Sequence, residues 1–414
     1  MGKRTGTFLG LVVGSYLISC FWLTPLSFGG DSLPKPGEVI DQTNYKNYEH
    51  LFSEGFVKGF EDGFGGLVKP LSITITEAKP APFSKVFMEA SEKNRGKFSL
   101  DGEGEITGGY KYDGLPFPDL KKDDKDFVLK AMWNYNYRYQ LDTESQVVMG
   151  FTKRKGESGT WFRANINWMY FANRMYDNPK PMIDTPIGVF KAMVLHYTEP
   201  VAVKDTILLT YRFLETKKSD ETFIYLPTLR RCLRGEAGQR STPVSGSIQA
   251  PDDFFLFDGR VPDFKYELVR EQKVLGLADS KFNVADAKKQ NSQGIDVPFF
   301  HEDWEVRDVY VIDILAKDPK YPQSRKRVYM DKENYAMYYA DAYDRAGKIW
   351  KVWTAEYRKF PQQGGDVVPA GIVGVYGMDV QFGMASLGVF DPKKNGRNMA
   401  FSDYMPNNLL RMAK

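Results

Sequence analysis

The sequence predicts one large, mainly β domain of α+β content, an antiparallel meander that curls into a barrel behind a few short helical stretches. Three observations predict it. Runs that alternate apolar and polar residues follow one another from Trp133 onward, separated by turn signals at short intervals. Aromatic residues are abundant, with 24 Tyr and 29 Phe, types that favour strands and the walls of apolar cavities. The 414 residues contain no internal repeat and no low-complexity linker, which argues for one large domain over residues 30–414 rather than two.

The first 29 residues read as a leader. Lys3-Arg4 is a short positive region and Phe8 to Cys20 an apolar core of signal-peptide length. Small residues at Ser27 and Gly29 suit a leader peptidase. Leu17-Ile18-Ser19-Cys20 also fits a lipobox that would acylate Cys20, although Phe21-Trp22-Leu23 continues the apolar run. Cleavage near Gly29, lipidation at Cys20 and an uncleaved anchor all lead to an exported body. No later stretch is long and apolar enough to span a bilayer as a helix. The formal charge is +3, and removing Lys3 and Arg4 takes two from that and leaves +1. This is no footprint for nucleic acid.

Asn44 to Asp62 reads as an amphipathic helix, because Phe52, Phe56, Phe60 and Phe64 recur every four residues until Gly65-Gly66. It either packs on the core or forms a lid. Leu71, Ile73 and Ile75 alternate with Ser72, Thr74 and Thr76 as a strand, and Phe83, Val86, Phe87 and Ala90 give a short helical face. Lys97 to Lys111 is a hairpin around Asp101-Gly102-Glu103-Gly104; its glycines lack the spacing and the following helix of a dinucleotide loop. Asp123 to Ala131 reads as a helical turn. Trp133, Tyr135, Tyr137 and Tyr139 alternate with polar residues and read as the first strand of the meander. Strands follow at Val147–Arg154, Phe162–Tyr170, Val189–Glu199 and Thr206–Glu215. Asp279 to Asp296 reads as a mobile insertion. Phe264 to Gly276 reads as strand, then turn, and further strands are expected at Trp304–Ala316, Arg325–Asp331, Ala336–Tyr343 and Ile349–Tyr357. The tail alternates from Val375 to Gln381 and closes at Asp403–Met412.

Phe223 to Phe255 is the most informative stretch. Phe223 to Leu226 reads as a strand broken at Pro227, and a basic run follows from Leu229 to Arg234. Arg230, Arg231 and Arg234 are open to two readings. They guard an edge strand against aggregation, or they form a positive rim beside a cavity for an anionic or amphipathic ligand. Asp252-Asp253 before Phe254 reads as the cap of a short helix. His50, His196 and His301 lie in unlike contexts without a second ligand at metal spacing. There is no Gly-x-Ser-x-Gly elbow, Walker loop or Cys/His cluster. Cys232 is left without an internal partner once Cys20 is set aside and reads as a small buried hydrophobe or an unreactive thiol rather than a nucleophile. Apolar faces with no reactive centre describe a binding container rather than an enzyme, with no catalytic residue, metal or cofactor expected.

Three ordered segments carry a family resemblance. They are Gly114-Leu-Pro-Phe-Pro118 with Trp133-Asn134; Tyr225-Leu-Pro-Thr-Leu-Arg-Arg231 with Asp252-Asp253-Phe254; and Trp304, then Lys326-Arg-Val-Tyr-Met-Asp331 with Tyr343-Asp-Arg-Ala-Gly-Lys-Ile-Trp-Lys351. Together they resemble a bacterial envelope family of uncharacterised function related to the outer-membrane lipoprotein-sorting (Lol-type) proteins. This chain departs from the pattern at Cys232 and Leu233, where the basic run often continues. The resemblance implies a half-open antiparallel β-barrel of the Lol type, with short helices covering the open side and an apolar interior that holds acyl chains. It also implies a periplasmic place, with peripheral membrane contact or attachment to the outer membrane, and partners among lipids, acylated lipoproteins and RND-type membrane transporters. The alternating face Phe162, Ile166, Trp168 and Tyr170 is the expected cavity wall. A structural adaptor without bound lipid and an envelope hydrolase are the competing expectations.

Overall fold

In the computed structural model, which describes residues 32–235, 240–243, 246–285, 303–361, 367–392 and 399–413, the chain builds one long curled sheet. The leader, the lipobox and most of the Asp279–Asp296 insertion lie outside the described residues. The elements are β1 (Val39–Ile40), α1 (Lys58–Gly66), β2 (Ile73–Ile75), α2 (Lys85–Glu92), α3 (Phe127–Tyr137), β3 (Thr143–Arg154), β4 (Thr160–Tyr170), β5 (Val189–Glu199), β6 (Ile207–Phe213), β7 (Glu221–Leu226) and β8 (Arg231–Arg234). They continue with β9 (Phe264–Gly276), β10 (Asp303–Ala316), β11 (Arg325–Asp331), β12 (Met337–Tyr343), β13 (Ile349–Pro361), β14 (Val367–Asp379), β15 (Met384–Pro392) and α4 (Leu409–Met412).

The strand order is β1-β2-β10-β11-β12-β13-β14-β15-β3-β4-β5-β6-β7-β8, with β9 paired to β10. Neighbours are antiparallel, except for the short parallel contact of β2 with β10. The sheet curls at one end, where Leu277, just past β9, bridges to Glu356 of β13. It does not close into a barrel: β8 is an edge strand and all four of its residues are exposed, Cys232 among them rather than buried. The half-open antiparallel sheet with short helices is therefore the observed fold.

Two expected elements are corrected. Trp133 to Tyr137 is helix, not strand. The segment Phe-Val-Leu-Lys-Ala-Met favours a helix by propensity, and α3 is buried on most of its surface, so no amphipathic period betrays it. Trp133 and Tyr137, one turn apart, stack at 5.9 Å. Asn134 is satisfied inside the core, accepting from Phe117 N at 3.0 Å and donating to the Tyr335 hydroxyl at 3.0 Å. The Asn44–Asp62 helix is likewise broken into two single 3-10 turns before α1. The break occurs where Ser53 Oγ and Gly55 N donate to the buried Asp341 carboxylate of β12 at 2.8 and 3.0 Å. A Cβ at Gly55 would sit 2.4 Å from Val352 Cγ2, so only glycine allows that approach.

The phenylalanine stripe is core. Phe56 is buried against Phe52, Phe60 and Phe64, and it reaches Trp304 at 5.6 Å and Tyr339 at 5.0 Å. Phe56→Ala removes the centre of this cluster. The expected loss of unfolding free energy is about 3–5 kcal/mol, read from the midpoint of denaturant unfolding.

Candidate functional site

Strands β4 to β8 present two apolar faces. One is covered by the C-terminal segment: Ala192, Val194, Ile207, Leu209 and Tyr211 pack with Met399, Tyr404 and Leu409. The other looks into the hollow of the sheet. There the pairing registers align Ile166, Leu195, Leu208, Ile224 and Leu233 as one apolar row across five strands. Beside it runs a second row, Trp168, Met193, Thr210 and Thr222. A cavity of about 230 Å³ lies on these rows, and its far wall is made by Thr242, Pro243, Pro251 and Phe254. Leu195, Leu208 and Ile224 are only half-buried, so apolar surface faces an unfilled space.

One end of the cavity is ionic. Lys191 of β5 and Arg212 of β6 lie on adjacent strands in register. Lys191 Nζ donates to Asp258 Oδ1 at 2.8 Å and Arg212 Nη1 donates to the same oxygen at 3.0 Å. Arg212 also pairs with Asp220 at 3.1 Å. Arg240 pairs with Asp252 at 2.6 Å, with Asp258 at 3.3 Å and with Asp220. Three cations thus meet three carboxylates. Burial alone would raise the Asp258 carboxyl, but Arg212, Lys191 and Arg240 overcome it and hold the group well below the usual carboxylate range. Burial pushes Lys191 the other way, down to about 8, with Asp258 opposing. Glu144, opposite Trp168 in register, is pushed up to about 8 by burial.

A second ionic set holds the other side of the same segment. Asp253 accepts from Lys326 Nζ at 2.6 Å and lies 4.0 Å from Lys351 Nζ. The lysines keep its carboxyl below the ordinary value against the opposing effect of burial. Asp253 Oδ2 also accepts from Ala250 N at 3.0 Å, so the expected helix cap is present as well.

The structure puts Phe162, Ile166, Trp168 and Tyr170 on the inward face of β4, with Trp168 lining the cavity directly. Ile166 is buried within the apolar row. Phe162 supports the cavity wall through Tyr197, at 5.2 Å. Tyr170 packs on Phe190 at 5.9 Å, away from the cavity. Arg230, Arg231 and Arg234 lie on the exposed β7–β8 hairpin and do not line the cavity, and Arg234 pairs with Glu221 at 2.8 Å. The cations that do reach it are Lys191, Arg212 and Arg240. They are single basic residues far apart in sequence, brought together by strand register. The available signal was a charge set within otherwise apolar strand runs, Val189–Glu199 and Ile207–Phe213.

Residues 39–409 match the family model described as a protein of unknown function, DUF1329. The chain belongs to the DUF1329 family. The DUF1329 chain is similar at 16% identity to a solved domain from Vibrio parahaemolyticus described as an outer membrane lipoprotein-sorting protein. The match covers 70% of this chain and 100% of that one, with a TM-score of 0.48. A DUF1329 family protein from Desulfovibrio piger is 15% identical, with 65% and 92% covered and a TM-score of 0.45. A LolA superfamily protein from Nitrosomonas europaea is 15% identical, with 66% and 93% covered and a TM-score of 0.39. No curated protein matches the chain.

The ionic cluster sets the acid stability of this DUF1329 protein. Asp220, Asp253 and Asp258 have folded-state pKa values below their unfolded ones. Their contribution is therefore fully present above the unfolded carboxylate range, about pH 4, and is lost as pH falls from there through the lower folded-state values. Asp258→Asn leaves Lys191 and Arg212 buried without that partner. The expected cost is about 3–5 kcal/mol at pH 7, together with a shallower loss of stability toward pH 3, both measured by urea unfolding across pH.

Proposed function

We propose that this protein is an exported, non-catalytic carrier that holds a lipid, or the acyl chain of a lipoprotein, in the cavity on β4 to β8. One observation carries the reading: a row of half-buried aliphatic side chains faces an unfilled cavity whose charged lining groups are all engaged in ion pairs. Lys191, Arg212, Asp220, Arg240 and Asp258 are each committed to a partner, which leaves none of them poised as a nucleophile or base. Burying an acyl chain of about 14 methylenes at roughly 0.8 kcal/mol each is worth about 11 kcal/mol before ordering costs. The family resemblance, together with the lipoprotein-sorting description of the Vibrio parahaemolyticus domain, supports a periplasmic carrier working between the inner and outer membranes. The resemblance alone extends the reading to an RND-type transporter as partner and to peripheral attachment at the outer membrane.

The adaptor reading has its own observation, the free edge of β8 with Leu233 exposed. A filled interior would favour it, and the cavity beside β5 and β6 favours the carrier. Gentle purification, solvent extraction and mass spectrometry separate the two. The expected result is a stoichiometric lipid that is reduced several-fold by Leu195→Asn with Leu208→Asn, substitutions at half-buried positions that leave the fold intact by circular dichroism. A protein that purifies empty and takes up no added lipid overturns the carrier.

A further inference from the structure

The strand registers bring six hairpin turns to one end of the curled sheet. Arg154 at the end of β3 pairs with Met384 at the start of β15, and Asp379 at the end of β14 pairs with Lys351 near the start of β13. Arg163 near the start of β4 pairs with Glu199 at the end of β5, and Ile207 at the start of β6 pairs with Tyr225 of β7. The turns 155–159, 200–206, 227–230, 317–324, 344–348 and 380–383 therefore share an end. Antiparallel neighbours lie about 5 Å apart, so these tips form a rim rather than scattered loops.

This rim is apolar at its points and, on the β3–β8 side, basic around them, while Glu54, Glu61 and Asp62 stand beside the 344–348 and 380–383 turns. Val201 is 89% exposed, Phe382 76% and Leu229 54%, and Trp161 at the start of β4 is also exposed. The six turns carry seven Lys and Arg against four Asp and Glu, a net of +3. Arg154 and Arg231, next to the turns, are exposed as well. The opposite end is different. Its connections 171–188, 214–220 and 332–336, all described, carry five cations against five carboxylates. Isolated apolar tips set among cations are the composition that enters the headgroup region of a bilayer, with the side chains in the acyl boundary and the cations on anionic headgroups.

We infer that this hairpin rim docks on an anionic lipid surface. The cavity runs toward it, since Tyr197, Leu208 and Ile224 line the cavity near the ends of β5, β6 and β7 at this side. The inference goes beyond the carrier reading, because vesicle docking and lipid extraction are separate readouts and either can fail alone.

The test uses two full-length chains, each with Cys20→Ser and Cys232→Ser. One carries Val201→Cys. The other carries Ile187→Cys, an exposed position at the opposite end. Both are labelled with a polarity-sensitive dye and mixed with phosphatidylglycerol vesicles or phosphatidylcholine vesicles. Residues before Ser32 are common to both chains, so a difference reports which end of the sheet docks. The expected result is a blue shift at 201 and none at 187, seen with phosphatidylglycerol and lost in high salt. Val201→Asp with Phe382→Asp lowers vesicle affinity by roughly tenfold or more, with the fold checked by circular dichroism. No shift at 201, an equal shift at 187, or binding to phosphatidylcholine that is indifferent to salt overturns the inference.

Discussion

The Ala250–Asp258 segment is pinned across the hollow of the sheet by buried ion pairs on both of its sides, and the shape of the interior depends on that pinning. Asp252 and Asp258 face Arg240, Arg212 and Lys191 on the β5–β6 side. Asp253 faces Lys326 of β11 and Lys351 of β13. From above, the Tyr135 hydroxyl of α3 donates to the Phe257 carbonyl at 2.5 Å, with the Phe255 carbonyl within reach of the same proton at 3.0 Å. One short segment thereby ties two distant parts of a fifteen-stranded sheet to its covering helix. An unpaired charge at this depth would cost several kcal/mol. The arrangement is stable as a set and fragile to removal of any one member.

This pinning also explains why a cavity survives. A curled sheet with an apolar inner face tends to fill itself with side chains. Here the Pro251–Phe254 stretch is held by its charges and cannot settle onto the β5–β7 rows. Lys191 closes this end of the gap: its ammonium sits 5.4 Å from the Trp168 ring and 5.5 Å from the Phe255 ring, which themselves meet at 5.4 Å. Leu195, Leu208 and Ile224 are left facing space as a consequence.

The strands were legible because period-two alternation is local. Val189–Glu199 and Arg325–Asp331 agree with the structure to the residue, and Phe162–Tyr170 lies within β4. The inward face of β4 was legible as one of two faces, since alternation separates faces without orienting them. α3 was not legible, because tyrosines spaced two apart imitate a strand when a helix is buried all round. Nor was the ionic cluster, because register, not spacing, joins Lys191 to Arg212. The basic run Arg230–Arg234 drew attention through local density of charge. Its place on the sheet edge, where β8 is the last strand, agrees with the guarded-edge reading of Pro227 and the arginines and not with the cavity-rim reading.

The two ends of the cavity differ in what they offer an amphiphile. At the Lys191 end every charge already has a partner, so a charged headgroup entering there would have to break a buried pair, at about 3–5 kcal/mol. A neutral hydrocarbon tail breaks nothing and gains the apolar row. At the rim end, cations stand exposed at Arg230, Arg231 and Arg154, where a headgroup keeps its water. For the proposed carrier, the same asymmetry would direct a tail inward and a head outward, the orientation of a lipid standing in a leaflet beneath the rim. A molecule drawn from that leaflet would enter tail first, without turning over.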